Sequence, residues 1–413
     1  MLTTPEPVGS VPRVGRILAA LFVATFVLGS AEMLVVGLLD RIAEDVRITI
    51  PAAGALVTAY ALGLAVGGPV LTALTIRWDR RRVLLGALAV ATVAMVLPIL
   101  VPVLDYALFL ALRAVAGAMA GLVIAAAFEM GTSIVEPERK GRAISAVFGG
   151  FAVSSAVGVP LGTLIGHALG WRGAFAAVAA LGVVAIIALT ALAPSLPGST
   201  SGAGDLARHA FAPRVLAVLA LHVLVFAALF SAVTYIVPFL ESVTGISGPL
   251  VSVFLLLYGG ADAVGALIGG RFADQDAART LLVTTAGITA VLLVLHLAGP
   301  VPALVALVLM LLGATAAAMV PSLQYRVVEL AGPGGALAQS LPASAANLGV
   351  AAGALAGGIA IDAVSVSAAV LTGVAIGVGS VAVAWATGRL TAPAAAQPAP
   401  PGTASCTAIG IAS

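Results

Sequence analysis

The chain is predicted to be an all-α integral membrane protein, with twelve transmembrane helices in two six-helix, pseudo-symmetric bundles. Three observations predict this. Apolar residues make up 61% of the chain and charged residues only 9%, too few charges to solvate a globular surface. Apolar runs recur from Gly15 almost to Arg389, and a run of roughly 20 residues spans a hydrocarbon core of about 30 Å. The loops between the runs alternate in charge: of 19 lysines and arginines, all but Arg41, Arg47, Arg113 and Arg172 fall on one side. That side is the cytoplasm by the positive-inside bias, which puts both termini inside.

Taken in order, residues 1–15 form a cytoplasmic tail carrying Arg13. The spans are expected at 16–39, 51–74, 83–103, 106–130, 143–166 and 173–193, which make the first bundle (16–193). The first run contains Glu32 and continues to Leu39. That is longer than the apolar core of a cleaved signal peptide, about 7–15 residues, so it is read as a retained span. Residues 194–213, rich in Pro, Gly and Ser, read as a flexible cytoplasmic linker. The second bundle (214–390) holds spans at 214–240, 249–271, 280–298, 302–322, 338–361 and 366–388. Residues 391–413 are a Pro/Ala-rich, disordered cytoplasmic tail.

Several functions are excluded. The single cysteine, Cys406, lies in the tail, so disulfides and thiolate metal sites are out, and no metal site is expected. A formal net charge of +2 gives no reason to expect nucleic acid. There is no metal-binding His pair at helical spacing, no Gly-x-Ser-x-Gly turn and no Walker-type loop. The chain therefore reads as neither an enzyme nor an ATP-driven pump.

The stretch from Gly149 to Gly166 in span 5 is uncharged and carries a helical stripe of glycine with Pro160 among them. In a soluble helix glycine costs about 1 kcal/mol and proline about 3 kcal/mol against alanine. In a membrane, small residues let backbones approach and neighbouring helices re-satisfy a freed carbonyl. Gly150, Gly158, Val159, Pro160 and Gly162 resemble the fifth-helix antiporter motif of the major facilitator superfamily, in its twelve-span drug:proton antiporter branch. Glu32-Met33 with Gly37-Leu38-Leu39, the end of span 7 from Phe230 to Leu240, and Ala346 to Gly353 in span 11 are similar to the chloramphenicol-resistance and arabinose-efflux-like exporters. The resemblance covers nearly the whole chain apart from the tails and linker.

An ionisable group at bilayer depth costs about 2.5–3.5 kcal/mol even on lenient scales, so it needs a cavity or a partner. By helical rise, Glu32 lies about 24 Å from the inner end of span 1 and Arg113 about 10 Å from the outer end of span 4, which is roughly one depth. The resemblance implies that both spans line the central cavity, that Glu32 is the titrating acid and that Arg113 is the basic residue of the fourth-helix motif. The competing reading is a structural ion pair. Asp262 in span 8, one turn from Tyr258, is a second proton-coupling candidate, a contact for a cationic substrate, or a buried neutral acid. Glu129 reads as a hydrated interfacial acid, and His222 in span 7 as a packing residue ahead of a proton relay.

The loop after span 2 runs Gly68 to Arg82 and holds Arg77, Asp79, Arg80 and Arg81; the loop after span 8 holds Gly270, Arg271 and Asp274. They echo each other as parallel repeats of this superfamily do. The resemblance implies a gating contact; a solvated topogenic loop is the alternative. The first copy departs from the family pattern, with Thr72 and Ile76 where glycine and aspartate are usual. Drug-sized sites are mostly apolar with a few placed polar groups. Tyr60, Met119, Phe230, Tyr235 and Met319 are the apolar candidates for the substrate cavity, and Ser30, Thr234, Gln324 and Asn347 the polar ones.

The expected function is proton-coupled export, by alternating access, of a small, mostly apolar compound such as chloramphenicol, another antibiotic or a related metabolite. A sugar or nucleoside exporter or facilitator of the same fold is the alternative. The expected partners are substrate, protons and the lipid bilayer. No cofactor is expected beyond the proton gradient, and the chain is placed as a monomer in the bacterial plasma membrane.

Overall fold

The computed structural model describes residues 11–75, 77–101, 105–136, 139–197, 211–331, 338 and 341–391. Among these the secondary structure is helical throughout. The first half contains α1 (Val11–Gly37), α2 (Leu39–Val46), α3 (Ile50–Leu62), a π-turn (Gly63–Gly67), α4 (Gly68–Leu74), α5 (Arg80–Leu100), α6 (Tyr106–Ser133), α7 (Lys140–Val153), a second π-turn (Ser154–Gly158) and α8 (Val159–Leu192). The second half contains α9 (Pro213–Val233), α10 (Ile236–Ser242), α11 (Pro249–Ala298), α12 (Pro302–Ala331), α13 (Leu341–Ala363) and α14 (Val366–Gly388).

Eleven helical stretches among the described residues are long and apolar enough to cross a membrane. α8 departs from helical geometry at Gly170 (φ 74, ψ 167), a left-handed conformation that favours glycine. The chain turns back there, so α7, the second π-turn and the start of α8 form one crossing and the rest of α8 another, which makes twelve. α11 breaks likewise at Asp276, dividing two crossings. Of the expected linker and tails, residues 198–210, 1–10 and 392–413 lie outside the described residues.

Local chemistry places the helix starts. Asp79 accepts from Arg82 N at 3.0 Å and Asp105 from Leu108 N at 3.0 Å, each capping the helix that follows. Thr49 does the same for α3, whose second residue is Pro51. The expected outer loop 40–50 is not all loop: α2 forms because Leu39, Ile42 and Ala43 recur at helical spacing and are buried.

Both π-turns end two residues before a proline, Pro69 and Pro160. A proline ring has no N–H to give and crowds the carbonyl four residues back; widening the preceding turn relieves that conflict. Leucines, valines and isoleucines within the crossings such as Ile187, Val283 and Ile359 are exposed. They are in place on a surface solvated by lipid tails.

The halves meet most closely at the end that carries Arg41. There α3 packs against α13, and α2 and α1 touch α10. Thr58 of α3 donates to Ala351 O of α13, and Glu241 of α10 lies within electrostatic reach of Asp40 and Arg41 across the halves.

Candidate functional site

Gly117 on α6 allows the closest helix approach at the centre of the first half. A β-carbon there would overlap the carbonyl of Tyr60, so α6 lies directly against α3. One turn away Arg113 is 2% exposed. Its guanidinium donates to Ala31 O at 2.7 Å, Glu32 O at 3.2 Å and Leu56 O at 3.2 Å, and lies 4.4 Å from the centre of the Tyr60 ring. Tyr60 in turn donates from its hydroxyl to Leu28 O. Arg113 and Tyr60 thus clamp the backbone of α1 between residues 28 and 32 to α3 and α6.

Glu32 is 3% exposed, and its Oε2 has no hydrogen-bond partner. Arg113 lies close enough to attract it, yet the guanidinium gives three of its five N–H donors to backbone carbonyls. The structure therefore brings together the two groups that helical rise placed at one depth. Beside them Ser30 Oγ is also buried without a partner.

The glycine stripe of span 5 faces this same segment. A β-carbon on Gly150 would overlap Phe22 O, one on Gly158 would overlap Ser30 Oγ, and one on Gly162 would overlap a methyl of Leu34. The second π-turn packs both on α1 and on α11 of the other half, with Pro160 buried just beyond it.

Asp262 lies half-buried in the seam between α11 and α12, with Tyr258 as its electrostatic neighbour. Gly313 of α12 sits against the Tyr258 carbonyl and the Asp262 N–H. His222 is buried with Nδ1 3.1 Å from Val218 O in its own helix. That contact suits the packing reading.

Among the cavity candidates, Tyr60 and Tyr235 are each 1% exposed, Met319 is fully buried, Met119 is half-buried, and Phe230 stacks on Phe226 with ring centres 6.3 Å apart. Asn347 donates to Ala343 O, leaving its Oδ1 buried and unpartnered, as is Thr234 Oγ1. Gln324 is exposed. Buried polar atoms without partners are uncommon, and Ser30, Glu32, Thr234 and Asn347 all carry one.

The basic loop is built differently from a simple solvated run. Arg80 is 2% exposed and pairs with Glu129 through Nε and Oε2 at 2.8 Å, so the acid read from sequence as merely hydrated ties α6 to α5. Arg81 donates to Thr190 O, and Asp79 caps α5 while receiving the Ser195 hydroxyl. The Ser195 hydroxyl, foremost, holds the Asp79 carboxyl below the usual carboxylate range. Arg77 is exposed. Gly270 and Asp274 are placed on α11 by backbone alone, and the Asp274 side chain lies outside the described ones.

Sequence reasoning missed the two π-turns, although a proline two residues past the glycine-ended segment marked each. It also missed the clamp's acceptors, which are backbone carbonyls and leave no mark in side-chain identity.

The comparisons agree with this architecture. The family profile described as Major Facilitator Superfamily matches residues 21–274 and again 234–411. The chain is 34% identical to the Escherichia coli K12 inner membrane transport protein YdhP, over 87% of this chain and 94% of that one. It is 30% identical to a chloramphenicol resistance protein of Streptomyces lividans, over 81% and 86%. It is 32% identical to a chloramphenicol efflux pump of Mycobacterium tuberculosis H37Rv, over 84% and 86%. In fold it is similar to a bacterial homologue of the lysosomal transporter Spinster, in an inward-facing, occupied conformation. The TM-score is 0.77 at 15% identity, covering 92% of this chain and 98% of that one. A D-xylose–proton symporter matches with TM-score 0.72 at 14% identity, covering 90% and 97%.

Proposed function

Because the chain belongs to the Major Facilitator Superfamily, and is a multi-pass membrane transporter rather than an enzyme, we propose that it is a proton-coupled exporter of a small, mostly apolar compound. The observation that carries this reading is the unpartnered carboxyl oxygen of Glu32 beside an arginine that is anchored by three of its five N–H donors to backbone carbonyls. Arg113 is held by those carbonyls whether or not Glu32 is charged. Glu32 is free to bind a proton or a donor group on the substrate, one at a time.

Burying a carboxylate costs much more than burying a carboxylic acid. Protonation of Glu32 therefore changes the relative stability of two postures of the bundle, and only a ligand with such a differential can drive alternating access. Arg113 keeps the α1 segment around Glu32 fixed while that charge comes and goes. Asp262, beside Tyr258, is a secondary acid for coupling or for a cationic part of the substrate.

The resistance and efflux relatives support an antibiotic such as chloramphenicol, or a related metabolite, as the cargo. So does the scarcity of carboxamides: Asn347 is the chain's one asparagine, whereas a sugar site needs several hydrogen-bonding side chains. The arginine bias supports a plasma-membrane orientation with both termini cytoplasmic. The Arg41 end, where the halves meet, is then the outer end, and the posture described here is inward-facing. A single chain contains both bundles, which supports a monomer as the working unit.

The test is transport in proteoliposomes. Wild-type protein should concentrate chloramphenicol or a related apolar drug on the more acidic side, and collapsing the pH difference should stop it. Glu32→Gln should bind the drug but lose the response to the gradient. Accumulation at the wild-type rate by Glu32→Gln would remove Glu32 from the coupling role.

A further inference from the structure

α9 ends at Val233 and α10 begins at Ile236. Between them Tyr235 leaves helical geometry (φ −110, ψ 22), with its N–H turned to Ala232 O. Its ring does not face solvent: the residue is 1% exposed, and its hydroxyl donates to Ala354 O of α13 at 2.7 Å.

The surroundings of the ring come from both halves. On α13, a β-carbon at Gly357 would lie 2.9 Å from Tyr235 Cε2, and one at Gly358 would lie 2.6 Å from the hydroxyl. On α3, which belongs to the other half, a β-carbon at Gly54 would overlap the hydroxyl and lie 2.6 Å from Cζ. The same β-carbon at Gly358 would lie 3.4 Å from Cβ of Pro51 on α3. The ring thus fills a slot whose walls are bare backbone, at the end where the halves meet.

We propose that Tyr235 is the latch of this end of the transporter, closing it by seating in a slot formed by Gly54 of one half and Gly357 and Gly358 of the other. The proposal rests on the reading that the halves part at this end during transport, but not on proton coupling or on any cargo. Gly54 touches the ring only when the halves are together. A β-carbon there penalises the closed posture and leaves the open one alone, and such a differential is what moves a two-state equilibrium. Gly54 is required for closure, not for folding of α3, since alanine is the better helix former.

The experiment uses the full chain with Cys406→Ser, so that a reporter thiol is the only one. The reporter is Thr58→Cys, one turn from Gly54 on the face that meets α13. A charged, membrane-impermeant maleimide is applied to vesicles of each orientation, without substrate or gradient. Gly54→Ala should raise labelling from the Arg41 face roughly tenfold or more, the scale expected of core overpacking, and lower it from the opposite face. In a Tyr235→Ala background, which already lacks the latch, Gly54→Ala should add nothing. The proposal is overturned if labelling is unchanged, if it rises equally from both faces as in a loosened chain, or if the same rise persists without the ring. Because no gradient is present, failure here is separate from failure of the Glu32 assignment.

Discussion

In the first six crossings the centre is charged. Glu32 and Arg113 are buried there against the backbone of α1 and α3. In the last six, the buried polar groups on α9 and α13 are uncharged or lightly held: His222 against Val218 O, Thr234 and Asn347. Both halves use a tyrosine hydroxyl to bind a neighbouring helix, Tyr60 to Leu28 O and Tyr235 to Ala354 O. Only the first half adds an arginine to the arrangement. The contrast teaches where each half buries charge. In the first half an acid and an arginine are buried together at the centre; in the second the buried polar atoms of α9 and α13 are uncharged, and its acid Asp262 is only half-buried.

The largest effect should come from removing the charge that organises the first half. Arg113→Ala strips the donors from Ala31 O, Glu32 O and Leu56 O and leaves Glu32 without its attracting charge. Breaking a buried charged arrangement by removing one partner costs about 3–5 kcal/mol. The variant should show a markedly lower melting temperature in detergent and no transport. Arg113→Lys keeps the charge but cannot reach three carbonyls with a planar fork; it should fold and still transport poorly. Transport by Arg113→Lys at the wild-type rate would show that charge alone matters and that the clamp does not.

The acid of the second half should matter less. Asp262→Asn should reduce export while the response to the pH gradient survives, whereas Glu32→Gln should lose that response. If instead Asp262→Asn abolishes coupling and Glu32→Gln spares it, the contrast between the halves is reversed. His222→Leu sharpens the same contrast from the other side. It removes a side chain whose hydrogen bond, among the described residues, lies within its own helix, so stability should change by no more than about 1 kcal/mol and the pH profile of transport not at all. A shifted profile would make His222 a relay.

Much of this was legible in the sequence, for reasons that differ by residue. Crossings were legible because the hydrocarbon core sets a minimum apolar length, and Glu32 and Arg113 because an ion in such a run is conspicuous. The contact made by Gly150, Gly158 and Gly162 with α1 was legible because only a close neighbour justifies that many glycines in one stripe. Other features were not. α2 is only eight residues long and half charged, so its pattern was lost among loop residues. The pairing of Arg80 with Glu129 joins residues far apart in sequence and depends on how α5 and α6 pack. Tyr235 read as cavity wall because an aromatic at a helix end suits either role; only the bare backbone around it, from Gly54 and Gly358, tells a seal from a wall.

The smallest expected effect lies at the rim of the first half, where a hollow of about 520 Å³ is lined by Arg41, Asp45, Arg47, Trp171 and Arg172 among others. Asp45 accepts from the Trp171 indole N–H at 2.9 Å and from Arg172, and Arg172 lies over the Trp171 ring at 4.4 Å. These partners, the indole N–H first, hold the Asp45 carboxyl below the usual carboxylate range. Its contribution is therefore fully present above that range and is lost as pH falls through the lowered value. Both side chains of the Arg172–Asp45 pair are substantially exposed, so solvent screening limits the contribution to about 1 kcal/mol or less. Asp45→Asn should lower the melting temperature slightly at neutral pH, and the gap from wild type should close on acidification. The rim of the second half is held by Ser367 and His296, 2.8 Å apart, with no acid involved. Ser367→Ala should therefore show no such closing gap below the carboxylate range. A gap that stayed constant with pH in Asp45→Asn would mean that the indole and arginine hold the rim by packing, and that charge at this end of the first half contributes nothing.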